Sequence, residues 1–128
     1  WAVWTFDYNA LPTYGTDNLE FSIPANARII EAKFEVITAF TSTSTTTDLL
    51  VGLSTSAGAS LGTEALLAAT DLTQTTIATA GNVITAAGGT LVGKTIGTTA
   101  GELSVTANAA DLLTGRGRVI VRYIKAGV

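Results

Sequence analysis

Residues 30–40 read IEAKFEVITAF, and this stretch decides the fold class. Every second position on one side is Ile30, Ala32, Phe34, Val36, Thr38 or Phe40, and all of these but Thr38 are apolar. A period of two is typical of a β-strand with one buried face. The other side begins with charged residues and turns apolar at Ile37 and Ala39. We therefore expect that end of the strand to be covered on both faces.

Shorter stretches of the same kind surround this strand. We predict strands over 1–8, 19–23, 48–53, 71–79, 82–86, 90–96, 102–106 and 118–125, separated by turns rich in glycine. About eight or nine short strands at this spacing indicate an all-β fold, an antiparallel β-sandwich. We expect a jelly roll. An immunoglobulin-like sandwich is the alternative, because periodicity does not give the order of strands.

One segment favours a helix. Thr63 is suited to cap a helix, Glu64 favours a first turn, and residues 65–69 are helix formers. We therefore predict at most one short helix, near 63–70. The length of 128 residues fits one domain, and we expect residues 1–128 to form a single β-sandwich domain.

The residue types of the chain argue against catalysis. It contains no histidine, no cysteine and no methionine, and only 13% of its residues are charged. Histidine is the usual proton-transfer group near neutral pH, and the cysteine thiolate is the strong nucleophile and zinc ligand of proteins. We therefore expect a structural or binding protein and not an enzyme, with no cofactor and no metal site.

The charges of the chain are few and unevenly placed. The net charge of −3 argues against nucleic acid as a partner. No apolar run approaches the ~18 residues of a membrane helix, so we expect no membrane partner either. Residues 1–64 carry seven acidic and two basic side chains, whereas residues 65–128 carry three acidic and five basic ones. Either this asymmetry serves only solubility, or patches of opposite sign meet between neighbouring subunits.

Residues 88–95, GGTLVGKT, match the phosphate-binding pattern G-x-x-x-x-G-K-[ST]. That pattern binds phosphate only where a helix begins directly after it. The residues that follow, IGTTAG, disfavour a helix. We interpret the match as a glycine turn followed by a strand, and a nucleotide-binding protein that uses Lys94 remains a weak alternative.

Two groups of residues are candidates for a partner interface. Aromatic side chains alternate along 1–8, so one pair is expected in the core and the other at a subunit contact or a sugar-stacking surface. The basic cluster near the C-terminus is either a charged sheet edge that prevents aggregation or a docking patch for an acidic protein. The candidate interface residues are Trp1, Trp4, Tyr8, Arg116, Arg118 and Arg122.

The order of these segments resembles that of a known class of proteins. The segments that carry the resemblance are WTFDY (4–8), LEFSIPANARII (19–30), TAFT (38–41), DLLVGL (48–53), LLAATDL (66–72) and DLLTGRGRVIVRYI (111–124). This layout resembles the small virion proteins of tailed bacteriophages, in particular capsid decoration (cement) proteins of jelly-roll type. The resemblance covers nearly the whole chain, and its motifs are strands and turns.

The resemblance implies a function and a partner. Copies are expected on the outer surface of the virion capsid, as homotrimers that bridge subunits of the major capsid protein without covalent bonds. No catalytic residues are implied. The alternative is a receptor- or glycan-binding module of a head or tail fibre, which would use exposed aromatic residues such as Trp1 or Trp4 and a polar loop such as 41–47.

Overall fold

The fold was analysed in a computed structural model that describes residues 2–11, 22–55, 59–108 and 110–125. Its elements are β1 (Ala2–Asp7), β2 (Ser22–Ile23), β3 (Arg28–Ser42), β4 (Asp48–Ser54), β5 (Ser60–Leu67), α1 (Gln74–Ile77), β6 (Val83–Thr85), β7 (Gly101–Asn108) and β8 (Leu112–Ile124). The strands form two four-stranded antiparallel sheets. Sheet I has the order β1-β8-β3-β6 and sheet II the order β2-β7-β4-β5. The predicted all-β sandwich is confirmed.

The pairing of the strands is nested. β1 pairs with β8, β2 with β7, β3 with β6 and β4 with β5, so the chain runs back along itself like one long hairpin. Two further pairings, β3 with β8 and β4 with β7, join these pairs into sheets. As a consequence, the acidic first half of the chain lies beside the basic second half within one molecule.

The core lies between the inner faces of the two sheets. β3 contributes Ala32, Phe34, Val36 and Phe40, all buried, as predicted. Ile30 and Thr38, which we expected on the same face, are half-buried and exposed, because the register against β8 shifts next to each of them, and Ile29 is buried in place of Ile30. The rings of Phe34 and Phe40 lie 6.0 Å apart between centroids, and Phe6 of β1 packs 6.0 and 6.2 Å from them. Sheet II supplies buried leucines and valines, namely Leu49, Val51, Leu53, Leu103 and Val105.

β8 is longer than the sequence predicts, because two glycines that we expected in turns lie inside the strand. Gly115 has a φ of +141°, a conformation that other residues rarely adopt. A Cβ at Gly115 would collide with the ring of Phe40, and one at Gly117 would lie 2.5 Å from Cζ of Phe34. Both glycines therefore make room for aromatic rings of β3, and they do not end the strand.

The far end of β3 departs from the expected double coverage. Ile37 is 39% exposed. The register between β3 and β8 shifts between Val36 and Thr38 and again between Thr38 and Thr41. Such irregularities bend a strand and re-aim its side chains. The apolar residue at this position therefore faces solvent and not a second layer.

The predicted helix near 63–70 is wrong. Residues 60–67 form β5, and Leu66 and Leu67 are fully buried. An apolar run of five residues is too short to nucleate a helix by itself, so the pairing of Leu67 with Val51 of β4 decides its conformation. The described helix is instead the single turn α1, which buries Ile77. It lies within 71–79, where we predicted a strand.

The predicted strand over 90–96 is wrong as well. These residues form turns, with one isolated bridge between Thr95 and Arg28. Leu91 and Val92 nevertheless pack against the core, and Leu91 N–H donates to the carbonyl of Ala65 at 3.0 Å. The apolar pattern of the segment therefore signals burial and not a strand. Residues 19–21 of the predicted second strand lie outside the described residues.

Candidate protein-binding face

The outer face of sheet I presents most of the charged side chains of the described strands. We define this outer face by the residues that point away from the core on the four strands of the sheet. They are Val3, Thr5 and Asp7 of β1, Arg116, Arg118, Ile120 and Arg122 of β8, Glu31, Lys33 and Glu35 of β3, and Val83 and Thr85 of β6.

The alternation of β8 places its arginines on this face. Val119 and Val121 are fully buried, so Arg118 and Arg122 point the other way. Arg116, on the far side of Gly117, is exposed as well. Arg118 and Arg122, two of the candidate interface residues, therefore share one face of the last strand.

Arg118 connects three strands at the centre of the outer face. Its Nη1 lies 3.1 Å from Oε2 of Glu35 on β3, and its Nε donates to Oγ1 of Thr5 on β1 at 3.1 Å. Because Arg118 is opposite both residues in the strand register, one side chain spans β1, β8 and β3. The guanidinium is thus held between its neighbours on β1 and β3.

Two further ion pairs flank this centre. Arg116 Nη1 lies 3.6 Å from Oδ1 of Asp7, and Lys33 Nζ lies 3.5 Å from Oε1 of Glu31. Two of the three ion pairs, Arg116–Asp7 and Arg118–Glu35, join a basic residue of the second half of the chain to an acidic residue of the first half within one molecule. Lys33 and Glu31 both belong to the first half.

These ion pairs contribute little to folding. The side chains of Arg118 and Glu35 are 40% and 31% exposed, and those of Arg116 and Asp7 about half exposed. Pairs that water reaches in this way typically stabilise a protein by roughly 0.2–1 kcal/mol each. The outer face therefore carries an ordered pattern of charge that the core does not depend on, as suits a contact surface.

Apolar side chains complete the outer face. Val3 on β1 is 45% exposed and Val83 on β6 is 59% exposed, at opposite edges of the sheet. Ile120 is half-buried between them on β8. Arginine is enriched at surfaces that bind other proteins, and the exposed valines add apolar area that a partner can cover. Alternation along the strand places Val3 on the face opposite Trp4. The high exposure of Val3 follows from the position of β1 at the edge of sheet I.

The arginines do not lie at a sheet edge, contrary to one of our two interpretations of the basic cluster. β8 is flanked by β1 along residues 116–121 and by β3 on its other side, so it is an inner strand of sheet I. The cluster therefore cannot protect an edge from aggregation or dock a partner along one. The arginine side chains lie instead on the outer face, in the middle of sheet I.

The aromatic half of the predicted interface does not join this face. Trp4 is partly buried and packs against the core from the inner side of β1. Tyr8 follows the strand in a turn and is 37% exposed. Trp1 lies outside the described residues. Trp4 is therefore a core residue at the border of the sandwich, which weakens the glycan-binding alternative that relied on it.

The phosphate-loop pattern lacks the structure it requires. Residues 96–100 contain no helix, and Lys94 is exposed in a turn. The backbone amides of the segment are engaged within the chain. Gly88 N–H donates to the carboxylate of Asp71 at 3.0 Å, and the N–H groups of Thr90, Leu91 and Gly93 donate to the carbonyls of Glu64, Ala65 and Ile29 at 2.7–3.0 Å. These amides therefore do not converge on a phosphate site.

Other classes of site were sought in the described residues. No group of three or more carboxylate side chains there is placed to hold a metal ion. No helix in that part of the chain combines the length and apolar character needed to cross a membrane.

Comparison with known proteins adds no relative. No protein family, no curated protein and no solved structure matches the chain. The fold and the outer face of sheet I are therefore the basis for any assignment of function.

Proposed function

We propose that this chain is a structural protein of a bacteriophage virion that decorates the outer surface of the capsid and bridges subunits of the major capsid protein. The resemblance of its strand and turn segments to decoration proteins suggests this role, and the sandwich fold is compatible with it. The nested pairing of the strands supports the jelly-roll part of the same proposal. In a jelly roll a long hairpin is folded over, so that its strands form two four-stranded sheets, as they do here.

The outer face of sheet I is the observation that carries the proposal. It is broad, formed by regular strands, and combines arginines with paired acids and exposed valines. A surface of this composition suits contact with another folded protein better than binding of a small ligand, which favours a concave site. We propose that it contacts the capsid, with Arg122 at its exposed end.

The proposed mechanism is non-covalent binding and involves no catalysed reaction. Many copies, each bound weakly, stabilise a shell because attachment at several points multiplies the effect of each contact. A protein that binds only the expanded shell shifts the equilibrium towards that state by mass action. A trimer, as the resemblance implies, would provide three such faces in one particle.

Binding to purified capsids tests this function. We expect the chain to saturate expanded capsids at a fixed stoichiometry and to raise the temperature at which they disrupt. Arg122→Glu is expected to weaken binding, whereas Lys94→Glu, the same charge reversal at an exposed residue that is not part of the outer face, is expected to leave it unchanged. Equal binding by both variants would remove the outer face from the proposal, and absence of binding by the unmodified chain would contradict the function itself.

A further inference from the structure

The four outermost strands of the two sheets differ in how well they are protected. β6 has only three residues, and the described part of β2 has two. β5 is interrupted, because its register against β4 shifts on both sides of Leu53. β1 pairs with β8 over six consecutive residues without a shift, and it contains no proline and no lysine. Short strands, irregularities, proline and lysine are the usual means of blocking an edge, and β1 has none of them.

The hydrogen bonds of β1 show which groups are open. Tyr8 N–H donates to the carbonyl of Gly115 on β8 at 2.9 Å. Since backbone groups alternate in direction along an antiparallel strand, Val3 and Thr5 direct their N–H and C=O groups away from β8. Within the described residues, no hydrogen bond reaches the backbone of Val3 or Thr5 from that side. Among the residues that the structure describes, these four groups form an unpaired edge.

We infer that β1 pairs with β1 of a second copy of this chain, antiparallel and about a two-fold axis, so that two sheets I become one continuous eight-stranded sheet. This contact is separate from the capsid-binding function proposed above. Where the chain forms trimers through another face, the β1 pairing would join two trimers.

One register of this pairing satisfies the open groups best. With the axis at Trp4, Val3 lies opposite Thr5 of the second copy, and both exchange N–H and C=O hydrogen bonds, which gives four bonds in all. With the axis at Thr5, Val3 would lie opposite Asp7, whose carbonyl already accepts from Ala10 N–H at 3.0 Å. The axis at Trp4 is therefore preferred.

Side chains agree with this register. The two copies of Trp4 become directly opposed on the inner side, where the part of each indole left uncovered by the core is shielded by the other. Val3 and Thr5, both β-branched, pair on the outer side, which suits a sheet. The two Asp7 carboxylates lie at opposite ends of the paired strands, so no like charges face each other.

The mass of the purified chain in solution, without capsids, tests the pairing. We expect an even multiple of 13.1 kDa. Val3→Pro removes one edge N–H per copy but none of the bonds to β8, and proline is tolerated at such a position, so the mass is expected to halve. Val3→Thr keeps the N–H and a β-branched side chain and is expected to keep the mass. An equal mass for Val3→Pro and the unmodified chain would overturn the inference.

Single cysteines test the register independently of whether the proline variant folds. The chain has no cysteine of its own, so Val3→Cys and Thr5→Cys each introduce one thiol. In the proposed register the two positions are opposite each other across the contact, at about 5.5 Å between Cα atoms, a separation that a disulfide spans. A mixture of the two variants is therefore expected to cross-link several-fold faster than either alone. Equal rates in all three samples would overturn the pairing. Neither result bears on capsid binding, so the two proposals fail separately.

Discussion

Gly117 of β8 lies directly against the ring of Phe34 of β3. A Cβ at this position would come within 2.5 Å of Cζ and 3.1 Å of Cε1 of that ring. Phe34 is fully buried and packs against Phe6 and Phe40 at the centre of the core. The absence of a side chain on one strand thus provides the space for an aromatic ring on the next, and the two residues determine how closely β3 and β8 fit the core.

Gly117→Ala is expected to lower the free energy of unfolding by about 1–3 kcal/mol, because the added methyl group overpacks the core against Phe34. Denaturant unfolding measures the change. The control is Gly93→Ala: Gly93 has a φ of +84° but nothing within 4 Å of an added Cβ, so only backbone strain of about 1 kcal/mol is expected. A smaller loss of unfolding free energy for Gly117→Ala than for Gly93→Ala would contradict the close packing of Gly117 against Phe34.

Phe34→Ala is expected to cost about 3–5 kcal/mol of unfolding free energy, because it leaves a cavity between Phe6 and Phe40 in a fully buried place. Val83→Ala, on the exposed side of β6, should stay within about 0.5 kcal/mol of the unmodified chain. Thermal and denaturant unfolding both report the difference. Similar costs for the two variants would mean that the aromatic cluster is not the centre of the core.

The ion pair between Arg118 and Glu35 is expected to contribute little to stability. A double-mutant cycle with Arg118→Gln and Glu35→Gln should give a coupling of at most about 1 kcal/mol, because both side chains are about one-third exposed or more. The coupling should shrink further at ~1 M salt, where the screening length is about 3 Å. A large coupling that salt does not change would show that this pair supports the fold and is not available as a contact surface.

Asp71 is expected to matter through its hydrogen bonds to backbone amides. Asp71→Ala removes the acceptor for Ala68, Ala87 and Gly88 and should cost about 1–3 kcal/mol. Asp71→Asn keeps one acceptor oxygen, so its unfolding free energy should lie between those of Asp71→Ala and the unmodified chain. Asp111→Ala, a matched loss of an exposed carboxylate, should be nearly neutral. Unfolding free energies decide the order, and an Asp71→Ala variant as stable as Asp111→Ala would refute the role of this carboxylate.

Local periodicity was sufficient to predict the strands whose inner face is continuous. Residues 32–36 and 118–122 alternate cleanly, and their buried side chains are those that the pattern indicates. On either side of 32–36 the register of β3 against β8 shifts, so Ile29 is buried in place of Ile30, and Thr38 is exposed. It failed where tertiary contact overrides local preference. Residues 60–67 form a strand because Leu67 pairs with Val51, and this partner is distant in the sequence.

The candidate site was predictable only in part. The shared face of Arg118 and Arg122 follows from alternation within one strand. The acidic partners of Arg116 and Arg118 depend on which strands are neighbours, and periodicity contains no information on strand order. For the same reason periodicity does not show that β8 is an inner strand and that β1 lies at the edge of sheet I.

Quantitative mass spectrometry of purified virions tests the central claim most directly, by measuring the number of copies of this chain relative to the major capsid protein. A decoration protein is expected in a fixed ratio to the capsid subunit, with a copy number comparable to it. A handful of copies per virion, or none, would contradict the assignment to the capsid surface.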